Sequence, residues 1–111
     1  VLNYPMFEIG SAVPRGQIVL AMEKIGQVLA KQAGPLRIYG HTDARQYRSG
    51  SGDNWQLSSQ RALSAYYMLG RAGLNERRVT QVTGFADREL REAADPNADA
   101  NRRIEILLEV K

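Results

Sequence analysis

The residues able to do covalent or metal chemistry are few. The chain holds one histidine, His41, and no cysteine. With no Gly-x-Ser-x-Gly turn either, a nucleophile–base–acid triad cannot be assembled. His41 and Asp43 alone fall short of the three protein ligands a catalytic zinc ion needs. A glycosidase would require two opposed carboxylates. Here the acidic residues crowd into one stretch (Asp87, Glu89, Glu92, Asp95, Asp99), interleaved with Arg88 and Arg91. That is the composition of a solvated loop. The sequence therefore points away from an enzyme, with no catalytic residue, no metal and no cofactor expected. His41, alone at a strand end, reads as a packing or hydrogen-bonding residue.

What remains is charge. Lys and Arg total 15 against 12 Asp and Glu, a net charge of +3 with a pI near 9.5. Arginine dominates, and its fork suits carboxylate or phosphate. Nucleic acid, acidic lipid and the carboxylate-bearing bacterial wall all fit this balance, and so does solubility alone. Arg45, Arg48, Arg77 and Arg78 could form a basic surface, but with 2 Phe there is no aromatic-interleaved basic strand to stack bases. Nucleic acid is not the expected partner.

The elements that must position these side chains alternate between strand and helix, without repeats, in a single domain over residues 1–111. The opening Val1-Leu2-Asn3-Tyr4-Pro5 reads as the start of a domain cut from a longer, membrane-anchored protein. Met6-Phe7-Glu8-Ile9 is a strand candidate. Pro14 fits a helix's first turn, and Ile18, Ala21, Met22, Ile25, Val28 and Leu29 define one apolar helix face stopped by Gly34-Pro35. Leu36–Tyr39 forms a strand. A polar loop through Gly52 follows, and Asp53 or Asn54 caps a second helix, with Gln56 completing a capping box. That helix runs to Gly73 with Ala62, Ala65, Tyr66 and Leu69 on one face. Trp55 is expected as a wedge against its start. Val79–Val82 is a further strand, and residues 85–100 an irregular loop. In the last strand Ile104, Ile106, Leu108 and Val110 alternate with Arg103, Glu105, Leu107 and Glu109. The same parity aims Arg102 toward the helix layer and Arg103 away from it.

Three segments then carry a resemblance. Gly40-His41-Thr42-Asp43 ends a strand, Asn54-Trp55-Gln56-Leu57-Ser58-Ser59-Gln60-Arg61-Ala62 opens a helix, and Asn101-Arg102-Arg103-Ile104-Glu105-Ile106 begins the final strand. Together they resemble the OmpA-like peptidoglycan-binding domain, which also occurs in Pal-type lipoproteins and in MotB-type flagellar stator subunits. Asn54-Trp55-Gln56-Leu57-Ser58 and Met6–Ala12 look more like the MotB type. The resemblance implies an α+β fold, a β-α-β-α-β-β sandwich with two main helices on one face of a mixed four-stranded sheet.

It also implies a ligand, the diaminopimelate residue of the wall's peptide stem, whose free end carries an ammonium and a carboxylate on one carbon. Asp43 matches the family's aspartate and would take the ammonium; Arg61 matches its helix arginine and would take the carboxylate. Thr42, Asn54 and the N–H of Leu57 would make secondary contacts, near a helix N-terminus that favours anions. Arg102 would brace Asp43 or the ligand, with Arg103 beside it. Read locally, Asp43 is a turn residue and Arg61 a helix-surface partner; the joint pattern reverses that. Truncating either is expected to cost roughly 2–5 kcal/mol of binding. The implied function is non-catalytic anchoring of a stator to peptidoglycan, in the periplasm of a Gram-negative cell and from the inner membrane. The implied partners are a second copy in a homodimer, with Leu107 as an apolar hint, and a MotA-type ion-channel subunit. The alternative is the anchor of a Pal- or OmpA-type outer-membrane protein.

Overall fold

The computed structural model describes residues 6–46 and 53–109. Two helices, α1 (Gly16–Ala30) and α2 (Asn54–Arg71), pack on a sheet of β1 (Leu36–Gly40), β2 (Val79–Gly84) and β3 (Ile104–Leu108). Short 3-10 turns at Glu76–Arg78 and Asp99–Asn101 lead into β2 and β3. The strand order is β2-β1-β3, with β2 parallel and β3 antiparallel to β1. The architecture is the expected α+β layer pair.

The sheet has three strands among the described residues, not four. Phe7 makes only an isolated bridge, to Pro14. The reason lies in where this segment's acceptors go. The carbonyl of Met6 accepts from Arg15 N–H at 3.1 Å, that of Phe7 from Arg102 Nε at 3.0 Å, and that of Glu8 from Arg61 Nη2 at 3.3 Å. Carbonyls held by arginines are not offered to a ladder. Pro14 likewise lies just ahead of α1, whose cap is Arg15, rather than in the first turn.

Between the layers, Leu36, Ile38 and Ile104 from the sheet meet Ile18, Met22, Ala62, Ala65, Met68 and Leu69 from the helices, with Phe7 closing the core. The helices approach closely at Gly26, where a Cβ would come within 2.7 Å of Ala72 Cβ. The C-terminus of α1 is held from outside: Arg78 donates to the carbonyls of Leu29 (2.5 Å) and Gly34 (3.1 Å). This adds a side-chain donor to the Leu29 carbonyl in the last turn, which also accepts from Gln32 N–H, and ties down the Gly34 carbonyl just beyond the helix. Arg78 is thus a structural cap rather than part of a basic surface.

At its other end α2 is capped as its sequence predicts, Asp53 accepting from Gln56 N–H at 3.1 Å. The helix then runs so close over β1 that a Cβ on Gly40 would sit 2.0 Å from the Ser58 carbonyl oxygen. Glycine at the end of β1 is what lets the first turns of α2 lie directly against the Gly40-His41-Thr42-Asp43 corner.

Candidate ligand-binding site

Beyond Gly40 the chain leaves the sheet, and Thr42 and Asp43 are fully buried there. Thr42 N–H donates to the Ala86 carbonyl (2.9 Å), Ala86 N–H to Ser58 Oγ (3.0 Å), and Ser58 Oγ–H to the Trp55 carbonyl (3.0 Å). This chain of bonds ties the strand end to the start of α2. It passes through Ala86, which sits at φ 53°. A non-glycine residue held there signals a backbone fixed by its surroundings.

The Asp43 carboxylate lies between two guanidinium groups. Arg102 Nη1 donates to Oδ2 at 3.0 Å and Arg45 Nη1 to the same oxygen at 2.5 Å, while Arg45 N–H donates to Oδ1 at 3.1 Å. Arg102 is itself buried, and its remaining donors reach the Phe7 carbonyl and the Asp99 carboxylate. Burial works against its charge, but the hydrogen bonds to Asp43 and Asp99 outweigh it and raise its pKa above the ordinary value. Arg45 differs from Arg102 in being about a third exposed. Besides Asp43 it bonds the Asn97 carbonyl at 3.0 Å.

Arg61 is fully buried. Its Nε donates to the Ser11 carbonyl (2.9 Å), Nη1 to that of His41 (3.0 Å) and Nη2 to that of Glu8 (3.3 Å), and its guanidinium stands 4.9 Å from the centre of the Phe7 ring. It therefore clamps the N-terminal segment onto the strand end that carries Thr42 and Asp43. Asn54, also buried, donates to the Arg45 carbonyl at 2.9 Å. The N–H of Leu57 is engaged within the first turn of α2, donating to Asp53. Arg103 turns away from this group, as strand parity predicts. It is nonetheless buried, against Glu105 and the Glu89 carbonyl. The structure thus gathers Asp43, Thr42, Asn54, Arg61 and Arg102 around one corner and leaves Arg103 on the opposite face. Arg48 and the rest of loop 47–52 fall outside the described residues.

His41 shares Arg103's face. It is buried and stacked on Phe85, ring centres 5.6 Å apart. Its Nε2 lies 3.2 Å from Glu105 Oε1, yet neither ring nitrogen makes a properly directed hydrogen bond among the described residues. Arg103 Nε and Nη2 already take that oxygen, at 3.1 and 2.7 Å. The contact is therefore one of proximity. Burial, then the charge of Arg103, push the pKa of His41 down to about 4 against a partial pull from Glu105, so the ring is neutral at pH 7. Trp55, expected as a partly buried wedge against the start of α2, is only half-buried. It is 47% exposed, with the Arg88 guanidinium 5.4 Å from its ring centre.

Several determinants carry no local sequence signal. Asn101 is fully buried and binds the late loop from within: Oδ1 accepts from Glu92 N–H, and Nδ2 donates toward the carbonyls of Glu92, Asp95 and Pro96. The loop is therefore wound around one amide side chain. Through Pro96, whose carbonyl accepts Ala44 N–H, and Asn97, which accepts from Arg45, it reaches the Asp43 corner. Placing Asn101 beside the Arg102-Arg103 pair was the available hint.

The profile of the OmpA family matches residues 6–103. A putative flagellar export/assembly protein, LafU, of Escherichia coli O44:H18 is 39% identical over 109 residues, covering 98% of this chain and 36% of that protein. Motility protein B of Escherichia coli K12 is 33% identical over 108 residues, 96% of this chain and 35% of the relative. The chain thus spans about a third of the length of these relatives. Among solved structures, the C-terminal domain of Helicobacter pylori MotB superposes with a TM-score of 0.83 at 15% identity, covering 100% of this chain and 87% of that one.

Proposed function

Because this chain belongs to the OmpA family over nearly its whole length, a non-enzymatic family, we propose that it anchors a flagellar stator by gripping the peptide stem of peptidoglycan at the Asp43 corner. The observation that carries this reading is the carboxylate of Asp43, buried at a strand end and held between one buried and one partly exposed guanidinium. A fold stabilised for its own sake gains little from such a cluster, since burying ions costs several kcal/mol each. A receptor for a zwitterionic carbon gains a fixed negative charge beside fixed positive ones.

In this reading the Arg45 guanidinium stands where the diaminopimelate ammonium binds. It is the exposed, displaceable partner, while Arg102 stays as the brace. The ligand's carboxylate meets the N-terminal end of α2, beside Thr42, Asn54 and Leu57, while Arg61, enclosed beneath, holds the His41 carbonyl and lends the corner its positive charge without touching the ligand. The parent protein is held from the inner membrane, in the periplasm, beside a MotA-type channel subunit. Each site can be weak, because a pair of domains facing a repeating polymer gains avidity.

Co-sedimentation with purified diaminopimelate-type wall sacculi tests the proposal. The domain is expected to pellet with the sacculi, to be released by millimolar free diaminopimelate, and to pellet less with sacculi whose stems carry lysine. Failure to pellet, or pelleting indifferent to both changes, contradicts it.

A further inference from the structure

The two arginines on the Asp43 carboxylate hold it in different ways. Arg102 is enclosed and divides its fork among three partners, the Phe7 carbonyl, Asp43 and Asp99. Arg45 is about a third exposed, and both of its side-chain hydrogen bonds leave from one atom. Its Nη1 donates to Asp43 Oδ2 at 2.5 Å and to the Asn97 carbonyl at 3.0 Å. Nε and Nη2 of Arg45 have no hydrogen-bond partner among the described residues. Those two atoms form the side of a guanidinium that grips a carboxylate with parallel bonds. The same edge of Arg103 closes on the Glu105 carboxylate, at 3.1 and 2.7 Å.

Nη1 of Arg45 thus occupies a place built for a cation, where a carboxylate oxygen and a main-chain carbonyl converge. Neither acceptor is free to drift. Asp43 is buried and braced by Arg102, and Asn97 follows Pro96, whose carbonyl is held by Ala44 N–H and by Asn101 Nδ2. Asn97 is itself exposed, so the place opens to solvent. The main chain of Arg45 is fastened separately, its N–H to Asp43 Oδ1 and its carbonyl to Asn54 Nδ2 at the start of α2. The side chain can therefore turn aside while its root stays beside the helix N-terminus.

We propose that Arg45 is a tethered stand-in for the ligand and also the second half of its receptor, selecting a zwitterionic carbon over a bare ammonium. The inference rests on the reading that such a carbon binds at the Asp43 corner. On binding, the ligand's ammonium takes the place of Nη1 between Asp43 Oδ2 and the Asn97 carbonyl. The displaced guanidinium turns its Nε–Nη2 edge onto the ligand's carboxylate, at the N-terminal end of α2. One ion pair becomes two, and the exchange strands no charge. An amine without the carboxylate must also displace Arg45, yet it leaves the guanidinium with only water for a partner. Because Arg45 is partly exposed, that loss is screened, and the selection is graded rather than absolute.

Two synthetic stem peptides test this, identical except that one carries diaminopimelate and the other lysine, whose side chain ends in an ammonium alone. Each is titrated calorimetrically into the wild-type chain, Arg45→Gln and Arg45→Lys, after urea unfolding has shown all three to be folded. The wild type is expected to favour the diaminopimelate peptide by about tenfold or more. In Arg45→Gln the lysine peptide should gain about three- to tenfold, because its competitor is gone. The diaminopimelate peptide should gain nothing, so the preference falls to about threefold or less. Arg45→Lys keeps the competing charge without the fork, and should narrow the preference by weakening the diaminopimelate peptide instead. If Arg45→Gln strengthens both peptides equally, Arg45 is a competitor only; if it weakens both equally, Arg45 merely holds Asp43 in place. Either result, or a wild type that binds the two peptides alike, overturns the proposal and leaves the Asp43 site standing. A wild type that binds neither peptide overturns both.

Discussion

Replacing Arg61 with lysine keeps a positive charge at the centre of the fold and removes the geometry that uses it. The guanidinium reaches the carbonyls of Ser11, His41 and Glu8 from Nε, Nη1 and Nη2. An ammonium on a flexible stem can satisfy one of these and lacks the planar fork that spans all three. The buried bond to His41 and the part-buried bond to Ser11 cannot then both be kept, while the Glu8 carbonyl retains Ser11 N–H. An acceptor left unsatisfied costs about 1–3 kcal/mol, and the stacking on Phe7 weakens. The expected loss is about 2–5 kcal/mol, against a total stability of roughly 5–15 kcal/mol for domains in general. With a urea slope of about 1.5 kcal/mol per molar for a small domain, the unfolding midpoint should fall by ~1.5–3 M. Urea titration followed by the fluorescence of Trp55, the only tryptophan, reads this directly. A midpoint shifted by less than ~0.3 M would refute the clamp. Arg61→Ala, the obvious probe of binding, is expected to unfold, so a loss of binding in that variant says nothing about ligand contact.

Three further outcomes follow from the packing. Gly40→Ala forces a Cβ into the Ser58 carbonyl, a backbone atom that cannot step aside, and should cost at least ~3 kcal/mol in chemical denaturation. Asn101→Ala should cost about 2–4 kcal/mol and speed amide exchange across residues 87–98, because the bonds to Glu92, Asp95 and Pro96 vanish together. His41 makes stability pH-dependent. Its pKa falls on folding from an ordinary 6.5 to about 4, so the unfolded chain takes up a proton first, and stability is lost as pH falls through that window. Between pH 7 and 5 the loss should be about 2 kcal/mol, and His41→Gln should flatten the profile.

What could be read from the chain was periodic or local. The apolar face of α1 apart from the exposed Val28, the Asp53 cap of α2 and the β3 alternation over Ile104–Leu108 are found as read, because each depends on residues a few positions apart. Even the opposed directions of Arg102 and Arg103 follow from strand parity. The strand expected at Met6–Ile9 fails because its carbonyls are taken by arginines far along the chain, Arg61 and Arg102, which no local pattern reveals. Arg78 looked like surface charge and proves to cap α1 from 49 residues away. The late loop looked irregular because one buried amide, Asn101, organises it. At the candidate site, the resemblance pointed to Asp43 and Arg61 as the ligand pair, with Arg102 as a brace. That Arg45 covers the carboxylate, and that Arg61 is fully enclosed, required three dimensions.

The most direct test of the central claim is calorimetric titration of a soluble diaminopimelate-containing stem peptide into the wild-type domain and into Asp43→Asn, which preserves shape and removes the charge. Both proteins are first shown to be folded at the assay temperature. Binding by the wild type, weakened in Asp43→Asn by ~30-fold or more, corresponding to at least ~2 kcal/mol, is the predicted result. Equal affinity in a folded Asp43→Asn domain, or no heat of binding from the wild type, would contradict it.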